Sequence, residues 1–392
     1  MKYLKRLGIG MSALLIGCGP QIQKLHHDAF VADSHCDILL RTMNGEDVSK
    51  LTTSGHADIP RFYEGGVDLE VFIIWVDPYR FVPVGSYDRG NEMIDSLEAL
   101  EIKSKDKLRI VRKFSDIIQN EEDGVLSAMI GLEGGHPIEN DLKKLEYFYK
   151  RGVRYLGITW NNSNDWATSA KDEVNNDSLS FRGLTDFGRD VIRKCDELGI
   201  MVDVSHSGEQ TFWDILEVST KPIIASHSCV YNMCNHYRNL KDDQLKAIRD
   251  KDGVAFVNFY PAYLDSMFTE REAEVHKKYK TELDQMKDEF GEDSDEYWYG
   301  SMELMKVDMQ AIAPEVDLLI DHIDYIAKLI GVDHVGIGSD FDGVEVLPKG
   351  LEDVTKLPII TQKLLERGYS EQDIKKILGE NFKRVFRDVI EK

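Results

Sequence analysis

Cysteine is scarce in this sequence, with five in 392 residues. None belongs to a C-x-x-C pair, so the usual spacing of a thiolate metal site is lacking. Cys36 lies between two polar residues of a predicted strand end and is expected to be a small buried hydrophobic residue. No spacing indicates a disulfide framework among the four cysteines beyond the N-terminal segment, which are Cys36, Cys195, Cys229 and Cys234.

Positive charge is also in deficit. The sequence has 48 lysines and arginines against 70 aspartates and glutamates, which gives a formal net charge of −22. Such a surface repels phosphate backbones and therefore disfavours nucleic acid as a partner. The hydrophobic fraction of 42% supports a substantial core and argues against general disorder.

Beyond residue 18 the sequence has no hydrophobic run long enough to span a membrane. The first residues differ, because the basic residues Lys2, Lys5 and Arg6 precede the apolar run Leu7–Ile16. This order is typical of a targeting segment, and a run of that length is too short for a transmembrane helix.

The end of this segment, Leu15-Ile16-Gly17-Cys18, resembles a bacterial lipobox. The resemblance implies cleavage before Cys18 and a lipid on its sulfur, with an uncleaved anchor as the alternative. Residues 1–17 are therefore predicted to be a lipoprotein signal peptide and residues 18–27 a polar tether. The expected location is the bacterial cell envelope, on the extracytoplasmic side of a membrane that the lipid anchor enters.

A Pro/Gly/Ser-rich linker is likewise missing, which favours one domain over residues 28–392 rather than two doubly wound domains. Eight short apolar runs alternate with helical patterns, and this alternation predicts a parallel sheet. Eight such units predict a (β/α)8 barrel, also called a TIM barrel. The runs are Ala29–Ala32, Leu69–Val76, Leu126–Leu132, Val153–Thr159, Ile200–Val204, Pro222–Ser226, Gly253–Phe259 and His334–Ser339.

One stretch, about 261–313, interrupts the alternation after the seventh strand. It is rich in charge and aromatic residues and is predicted to be a helical insertion on the rim of the barrel. It is either a lid over the site or a solvated helical pair without a role. Helical patterns elsewhere predict helices at Asn91–Lys103, Leu142–Lys150, Thr185–Leu198, Asp242–Asp250 and Pro314–Leu329.

The first predicted strand leads into D-S-H-C-D, residues 33–37. Because side chains alternate along a strand, His35 and Asp37 point the same way and can hold one metal ion, with Asp33 as a brace. Further candidate ligands follow later strands, namely Glu133, His206, His227 and Asp340.

All of these residues converge on one mouth, because active sites of such barrels lie at the carboxyl ends of the strands. Imidazoles and carboxylates suit zinc and similar ions. Six such groups exceed what one tetrahedral ion needs. The set therefore favours two ions bridged by Glu133, with a hydroxide held between them.

Several stretches together resemble the membrane dipeptidase (renal dipeptidase) family of zinc peptidases, in the amidohydrolase superfamily. The resemblance runs from about Phe30 to Val385, with the rim insertion outside it. The matching stretches are DSHCDIL, GLEGGHPIE, GVRYLGITWNNSNDWA, DVSHS, PIIASHSCVYNMCNHYRNL, GVAFVNFY, VGIGSDFDGV and GLEDVTKLP…GENFKRVF.

The resemblance implies a role for several positions of this sequence. Asp340 takes the place of the proton-transfer aspartate, Arg238 that of the arginine that binds the substrate carboxylate, and Tyr260 lies where the family lines its pocket. The implied metal ligands are His35, Asp37, Glu133, His206 and His227.

One position departs from the family pattern. Where the family commonly has a histidine that polarises the scissile carbonyl, this sequence has Trp160, whose indole N–H can donate one hydrogen bond but cannot carry positive charge. Asn161, Asn162 or a metal ion could share that task, or Trp160 could narrow the substrate pocket. His136 and His236 are expected to be structural or to contact the ligands from outside.

These observations favour a metal-dependent dipeptidase with two divalent metal ions, expected to be Zn²⁺. A metal-bridged hydroxide attacks the peptide carbonyl, Asp340 moves the proton to the leaving amine, and Arg238 limits the substrate to about two residues. The alternatives are another amidohydrolase-type hydrolase (a deaminase, lactonase or phosphoesterase) and a non-catalytic, peptide-binding surface lipoprotein. The resemblance also suggests a homodimer.

Overall fold

The computed structural model describes residues 19–292 and 294–391. The lipobox and the rest of residues 1–18 lie outside the described residues. Nine β-strands occur in the described part, and all of their pairings are parallel. They are β1 (Ala32–Cys36), β2 (Leu69–Trp75), β3 (Leu108–Ile110), β4 (Leu126–Glu133), β5 (Val153–Gly157), β6 (Met201–Asp203), β7 (Ile223–Ala225), β8 (Val254–Val257) and β9 (Val335–Ile337).

Eight of these strands close into a barrel. The order is β2-β1-β9-β8-β7-β6-β5-β4, and pairing of β4 with β2 completes the ring. Among the described strands, β3 pairs only with β4, at its first residues, and lies beside the ring. Helices surround the strands, so the predicted (β/α)8 barrel is confirmed.

Two details of the strands differ from the prediction. β1 begins at Ala32, where the predicted run ends, so His35 lies within the strand and is buried despite its polarity. The prediction relied on apolar residues and therefore placed this strand too early. The extra strand β3 has three residues, too few for a periodic pattern.

The core of the barrel has an inner and an outer layer. Along β2, Leu69, Val71 and Ile73 belong to the inner apolar cluster, whereas Phe72 and Ile74 belong to the cluster between barrel and helices. This alternation with a period of two is what a strand imposes on its side chains. Both faces of the sheet are thus covered with apolar residues, as a parallel sheet requires.

A C-terminal helix, Asn381–Glu391, closes the amino end of the barrel. Its buried side chains recur at helical spacing and join the inner cluster; they are Phe382, Val385, Phe386 and Val389. Two residues that precede strands form hydrogen bonds with this helix. Lys221, before β7, donates through Nζ to Val389 O over 2.6 Å, and Asp252, before β8, accepts through its carbonyl from Arg384 Nη1 over 2.7 Å. The opposite end of the barrel is therefore the one that opens to ligands.

All of the predicted helices occur, and most of their ends lie within one turn of the predicted positions. The exception is the helix predicted at Asn91–Lys103, which begins earlier and spans Ser86–Ser104. In Asp186–Leu198, the Thr185 side chain accepts a hydrogen bond from Gly188 N at the N-terminus, and Val191, Ile192 and Cys195 are buried. The other helices up to the rim are Pro20–Asp28, Ile38–Met43, Ile59–Glu64, Pro78–Phe81, Phe114–Asp123, Leu142–Arg151, Ala170–Asn175, Glu209–Val218 and Asp242–Asp250.

The stretch between β8 and the helix Val316–Ile330 is helical. It comprises Pro261–Leu264, Phe268–Lys278, Lys280–Phe290 and Asp295–Ile312. A separate apolar cluster, which includes Phe268, Leu283 and Met305, holds these helices together. Beyond them lie Pro358–Glu366 and Glu371–Lys375, before the C-terminal helix. No helix in the described ranges combines the length and the apolar character that crossing a membrane would require.

The stretch assigned to a polar tether folds from Pro20 onward as the helix Pro20–Asp28. Leu25 and His26 are buried, and the His26 ring bonds Thr361 Oγ1 over 2.7 Å and Gly65 O over 2.9 Å. Where the chain is described, these residues therefore pack on the barrel and do not form a free linker.

Candidate metal centre

The six side chains expected at the barrel mouth lie together there. His35 is on β1, Glu133 is the last residue of β4, and Asp37 directly precedes the helix Ile38–Met43. The others lie in the loops that leave β6, β7 and β9, and they are His206, His227 and Asp340. Five are buried, and the Asp340 side chain is 13% exposed.

Glu133 lies at the centre of this cluster. Its Oε2 is 3.6 Å from His35 Nε2, whereas its Oε1 is 3.0 Å from His206 Nε2 and 3.5 Å from His227 Nε2. One oxygen of the carboxylate thus faces the imidazole of His35, and the other faces those of His206 and His227. A second carboxylate lies on the side of His35, since Asp37 Oδ2 is 3.5 Å from His35 Nε2.

Hydrogen bonds at their Nδ1 atoms fix the orientation of the His206 and His227 rings. His206 Nδ1 donates to Asn161 Oδ1 over 3.0 Å, because an amide oxygen can only accept. The Ser226 hydroxyl donates to Asp203 Oδ2 over 2.7 Å and therefore accepts from His227 Nδ1, also over 2.7 Å. Each imidazole then presents an unprotonated Nε2 to the cluster.

These two Nε2 atoms are 2.9 Å apart and lie beside the Glu133 carboxylate. Two lone pairs at this distance repel each other unless a cation lies between them. Oxygen-bonded Nδ1 atoms with free Nε2 atoms are the usual arrangement of histidines that bind metals. The donor set therefore fits a divalent metal ion.

His35 is held by a similar contact. Its Nδ1 bonds Tyr155 Oη over 2.8 Å, and its buried Nε2 has no hydrogen-bond partner among the described residues. The Tyr155 ring fits because β4 has Gly131 opposite it, where an added Cβ would lie 2.4 Å from the ring. A further carboxylate oxygen, Asp340 Oδ1, is 4.0 Å from His35 Nε2.

Burial sets the charges of the imidazoles. It lowers the pKa of His206 to about 3 and the pKa of His227 well below its usual range, so both rings are neutral at physiological pH. Burial also opposes charge on His35, but the carboxylates of Glu133 and Asp37 raise its pKa well above its usual value. Neutral imidazole is the form that binds metal ions, and a cation would compete with the proton on His35.

Asp340 is positioned for contact with both the cluster and a ligand. Asn258 Nδ2 donates to its Oδ2 over 2.9 Å, which leaves Oδ1 on the side of His35. Burial raises the pKa of this carboxyl above its usual value.

A cavity of about 470 Å³ opens over the cluster. Trp160 and Tyr260, both expected to contact substrate, line it. The helical insertion forms one wall through Asp295, Trp298 and Tyr299, so it contributes to the cavity and is not merely a solvated helical pair.

Trp160 lies among aromatic rings on the cavity wall. Its ring centroid is 5.0 Å from that of Trp75 and 6.3 Å from that of His206. Of the two asparagines that could take over the task of the missing histidine, Asn161 lines the cavity and accepts from His206. Asn162 donates instead to the Ser163 carbonyl over 3.1 Å.

Arg238 lies beside the cluster and lines a smaller cavity of about 190 Å³, which His206 also lines. The side chain is 3% exposed and lies over the Tyr263 ring. Its Nη2 donates to His227 O over 3.3 Å, whereas Nε and Nη1 have no partner within the described ranges. A buried guanidinium with two unpartnered nitrogens is suited to an anionic ligand.

Three other residues discussed from the sequence have structural contacts. Asp33 Oδ1 accepts from Ser339 N over 2.7 Å and so ties β1 to the end of β9. His136 Nε2 bonds Val76 O over 2.7 Å, and His236 Nδ1 accepts from Arg238 N over 3.2 Å. The four described cysteines are buried and form no disulfide with one another.

The sequence analysis missed the residues that hold the ligands. Tyr155, Asp203 and Ser226 have no spacing that relates them to a metal site, since their roles depend on which strands are neighbours. The register places Tyr155 opposite Gly131 and Asp203 opposite Ile224. In the sequence, the one signal is that Asp203 and Ser226 stand close to the ligands His206 and His227.

Comparison with known protein families gives one match over nearly the whole chain. A family model described as membrane dipeptidase, peptidase family M19, matches residues 20–392.

Solved structures are similar over most of the chain. A structure described as dipeptidase AC, a metallo peptidase of family M19, is 26% identical with a TM-score of 0.74, over 93% of this chain and 99% of its own. A metallo peptidase from Rhodobacter sphaeroides, liganded with a phosphinate mimic of the dipeptide L-Ala-D-Ala, is 26% identical with a TM-score of 0.74, over 92% and 99%. The probable dipeptidase PvdM from Pseudomonas aeruginosa is 24% identical with a TM-score of 0.78, over 95% and 98%, and supports the fold.

The Asp203–Ser226–His227 contacts give a testable prediction. Replacing Ser226 with alanine removes the acceptor of His227 Nδ1–H, and the affinity for divalent metal should fall about 10- to 100-fold. Zinc titration against a competing chelator measures this. Ser219→Ala is the matched control, because Ser219 is also buried and donates to an aspartate, Asp196, but lies before β7 at the other end of the barrel. Equal affinities in both variants would contradict the orienting role of Ser226.

Proposed function

The chain belongs to the membrane dipeptidase family, peptidase family M19, and we propose that the clustered side chains at its barrel mouth carry out the hydrolysis. The chain is a metal-dependent dipeptidase, as the resemblance of its sequence predicted. The assignment of the site rests on the position of Glu133, because one of its oxygens faces His35 Nε2 and the other faces the Nε2 atoms of His206 and His227.

Two divalent ions, expected to be Zn²⁺, would bind to this set. His35, Asp37 and Glu133 would hold one, and Glu133, His206 and His227 the other. Such ions, when bound, acidify water and polarise a carbonyl oxygen. The mixture of imidazole and carboxylate donors supports zinc or a closely similar ion.

Asp340 is the proton-transfer residue of the proposal. It takes a proton from the attacking water and delivers it to the leaving amine, which then departs as the free amino group of the second residue. Its position supports this role, because Asn258 holds one carboxylate oxygen and leaves the other toward the cluster.

Arg238 would bind the free carboxylate of the dipeptide. Its burial and its two unpartnered nitrogens beside His206 and His227 support this role. A free carboxylate at a fixed distance from the reacting carbonyl limits the substrate to about two residues. Trp160 and Tyr260 would contact the rest of the substrate in the larger cavity.

The stereochemical range of the substrates is a separate part of the proposal. The peptidase from Rhodobacter sphaeroides is similar to this chain over most of both lengths and is liganded with a mimic of L-Ala-D-Ala. That similarity supports acceptance of a D-residue at the second position here. A dipeptide panel with both stereoisomers at each position tests it.

The proposed site of action is the bacterial cell envelope, on the extracytoplasmic side. Residues 1–17 would act as a signal peptide, and Cys18 would carry the lipid that holds the domain, residues 28–392, at the membrane. The support is the basic and apolar order of residues 2–16 and the lipobox-like end. A homodimer, suggested by the family resemblance, stays a prediction.

The bridging role of Glu133 predicts about two divalent ions per chain. Elemental analysis of the metal-replete protein measures this number, and removal of the metal by a chelator should abolish activity. His206→Ala should lose metal and activity but keep the fold. His322→Ala is the matched control, since among the described residues this buried histidine bonds only backbone groups, at Val230 and Leu264. Full activity with one ion would contradict the bridge.

The Arg238 assignment predicts a loss that depends on the substrate. Hydrogen bonds to a charged group contribute about 1.5–3 kcal/mol. Arg238→Ala should therefore lower kcat/KM about 10- to 100-fold for dipeptides. Dipeptide amides should be poor substrates already and should lose little more. Arg154→Ala is the control, because that buried arginine bonds the backbone carbonyls of Arg112, after β3, and Val153, at the start of β5. Equal turnover of a dipeptide and its amide by the unmutated enzyme would refute the assignment.

Lipid attachment at Cys18 gives a further prediction. Cys18→Ser should move the protein from the membrane fraction to the soluble fraction, or leave an unprocessed precursor of higher mass. Cys195→Ser, at a buried cysteine within the domain, should leave the fractionation unchanged. If Cys18→Ser shows the same mass and fractionation as the unmutated protein, the lipobox interpretation fails.

A further inference from the structure

The loop that carries Asp340 has an unusual backbone. Asp340 and Asp342 both adopt positive φ, each of 64°, in a segment of five residues, 339–343. This left-handed conformation is uncommon for residues other than glycine, although aspartate tolerates it better than most. Such a segment keeps its shape only where its surroundings determine it.

The same loop contacts both carboxylates on one side of the proposed metal site. The Phe341 carbonyl accepts from Asp37 N over 2.8 Å, and Asp340 N donates to His35 O over 3.0 Å. Gly343 packs directly against the carboxylates, since a Cβ there would lie 2.4 Å from both Asp340 Oδ1 and Asp37 Oδ2. A shift of this loop would therefore displace both side chains.

Asp342 attaches the loop to a second segment. Its Oδ2 accepts from Arg41 Nη1 over 2.9 Å, and its Oδ1 accepts from His56 N over 2.5 Å. The Asp342 N–H donates in turn to His56 Nδ1 over 3.1 Å. The Asp342 side chain is 2% exposed, so these bonds are shielded from water.

Arg41 is itself fully engaged. It is 4% exposed, and its remaining N–H groups bond the Glu46 carboxylate twice over 2.8 Å, Thr52 Oγ1 over 2.8 Å and Ala57 O over 2.7 Å. The guanidinium thus ties segment 46–57 to the loop of Asp340. Asp342 lines the large cavity and Arg41 does not, so the Arg41 guanidinium reaches the wall of the cavity through its bond to Asp342.

We propose that Arg41 is a positioning residue, which acts through Asp342 to hold Asp340 and Asp37 in their reactive places. The inference rests on the roles assigned above to these two aspartates. An error of about 1 Å in the position of a reacting group can cost about 100-fold in rate. Arg41 would then affect turnover without touching the substrate.

The test compares kcat, KM and zinc affinity in matched variants. Arg41→Met and Asp342→Gly should each lower kcat about 10- to 100-fold per folded molecule, with KM for dipeptides little changed. Zinc affinity should fall as well, because Asp37 moves. Asp342→Gly removes the contact to Arg41. Because glycine adopts positive φ without strain, this variant can keep the backbone conformation of the loop. Asp342→Asn, which keeps an acceptor for His56 N, should recover part of kcat.

Arg61→Met is the control for a purely structural effect. Arg61 is also buried, donates to Asp58 Oδ2 over 2.7 Å and, like Arg41, bonds segment 46–57, at Gly55 O over 3.1 Å. Among the described residues it makes no bond to the Asp340 loop. It should lower the Tm while kcat of the folded fraction stays unchanged. Unchanged kcat in both Arg41→Met and Asp342→Gly, or an equal loss in Arg61→Met, would overturn the proposal. An unmutated enzyme inactive on all dipeptides would refute the proposed function instead. If Arg41→Met does not fold, the two Asp342 variants decide. A higher kcat in Asp342→Asn than in Asp342→Gly supports the proposal, and equal values overturn it.

Discussion

A single buried carboxylate, Glu133, is the constraint on which the rest of the structure depends. A negative charge removed from water is costly unless it is compensated within a few ångströms. Here the compensation comes from His35, whose pKa Glu133 and Asp37 raise, and a cation held by the neutral imidazoles of His206 and His227 would add to it. These contacts require β1, β4, β6 and β7 to end at the same level, which the closed parallel barrel provides. The fold and the charge arrangement of the site therefore depend on each other.

The sequence predicted the cluster at the mouth of the barrel because its polar residues stand at the ends of apolar runs. His35, Glu133, His206, His227 and Asp340 each follow a hydrophobic stretch, and chain order alone brings such residues to one end of a barrel. The Asp203–Ser226 support and the Arg41–Asp342 pair were not predictable in the same way. They depend on which side chains face each other across neighbouring segments, and neither contact has a characteristic spacing. The N-terminal helix was missed because its pattern is polar, and only two of its residues are buried.

The helical insertion adds a second level of organisation. Its helices have their own apolar cluster, and Leu264 and Tyr263 join them to the core of the barrel. Their contribution to the site is made by aromatic and acidic residues on the wall of the cavity, which Trp160 and Trp75 also line. The metal-binding set and the surface that surrounds a substrate are thus supplied by separate parts of the chain, and sequence changes in the insertion can alter the wall while the metal donors stay in place.

The closure of the barrel has a consequence for the order of assembly. β1 carries His35 and pairs with β9, which leads to Asp340, and the plug of the inner core is the C-terminal helix Asn381–Glu391. The two halves of the reactive cluster are therefore joined by a contact between the beginning and the end of the domain. Contacts of such long sequence separation form late, because the entropy of a large loop must be lost first. A nascent chain that lacks its last strand holds its histidines and aspartates on separate, unclosed segments, so hydrolytic competence arises only once synthesis of the domain is complete.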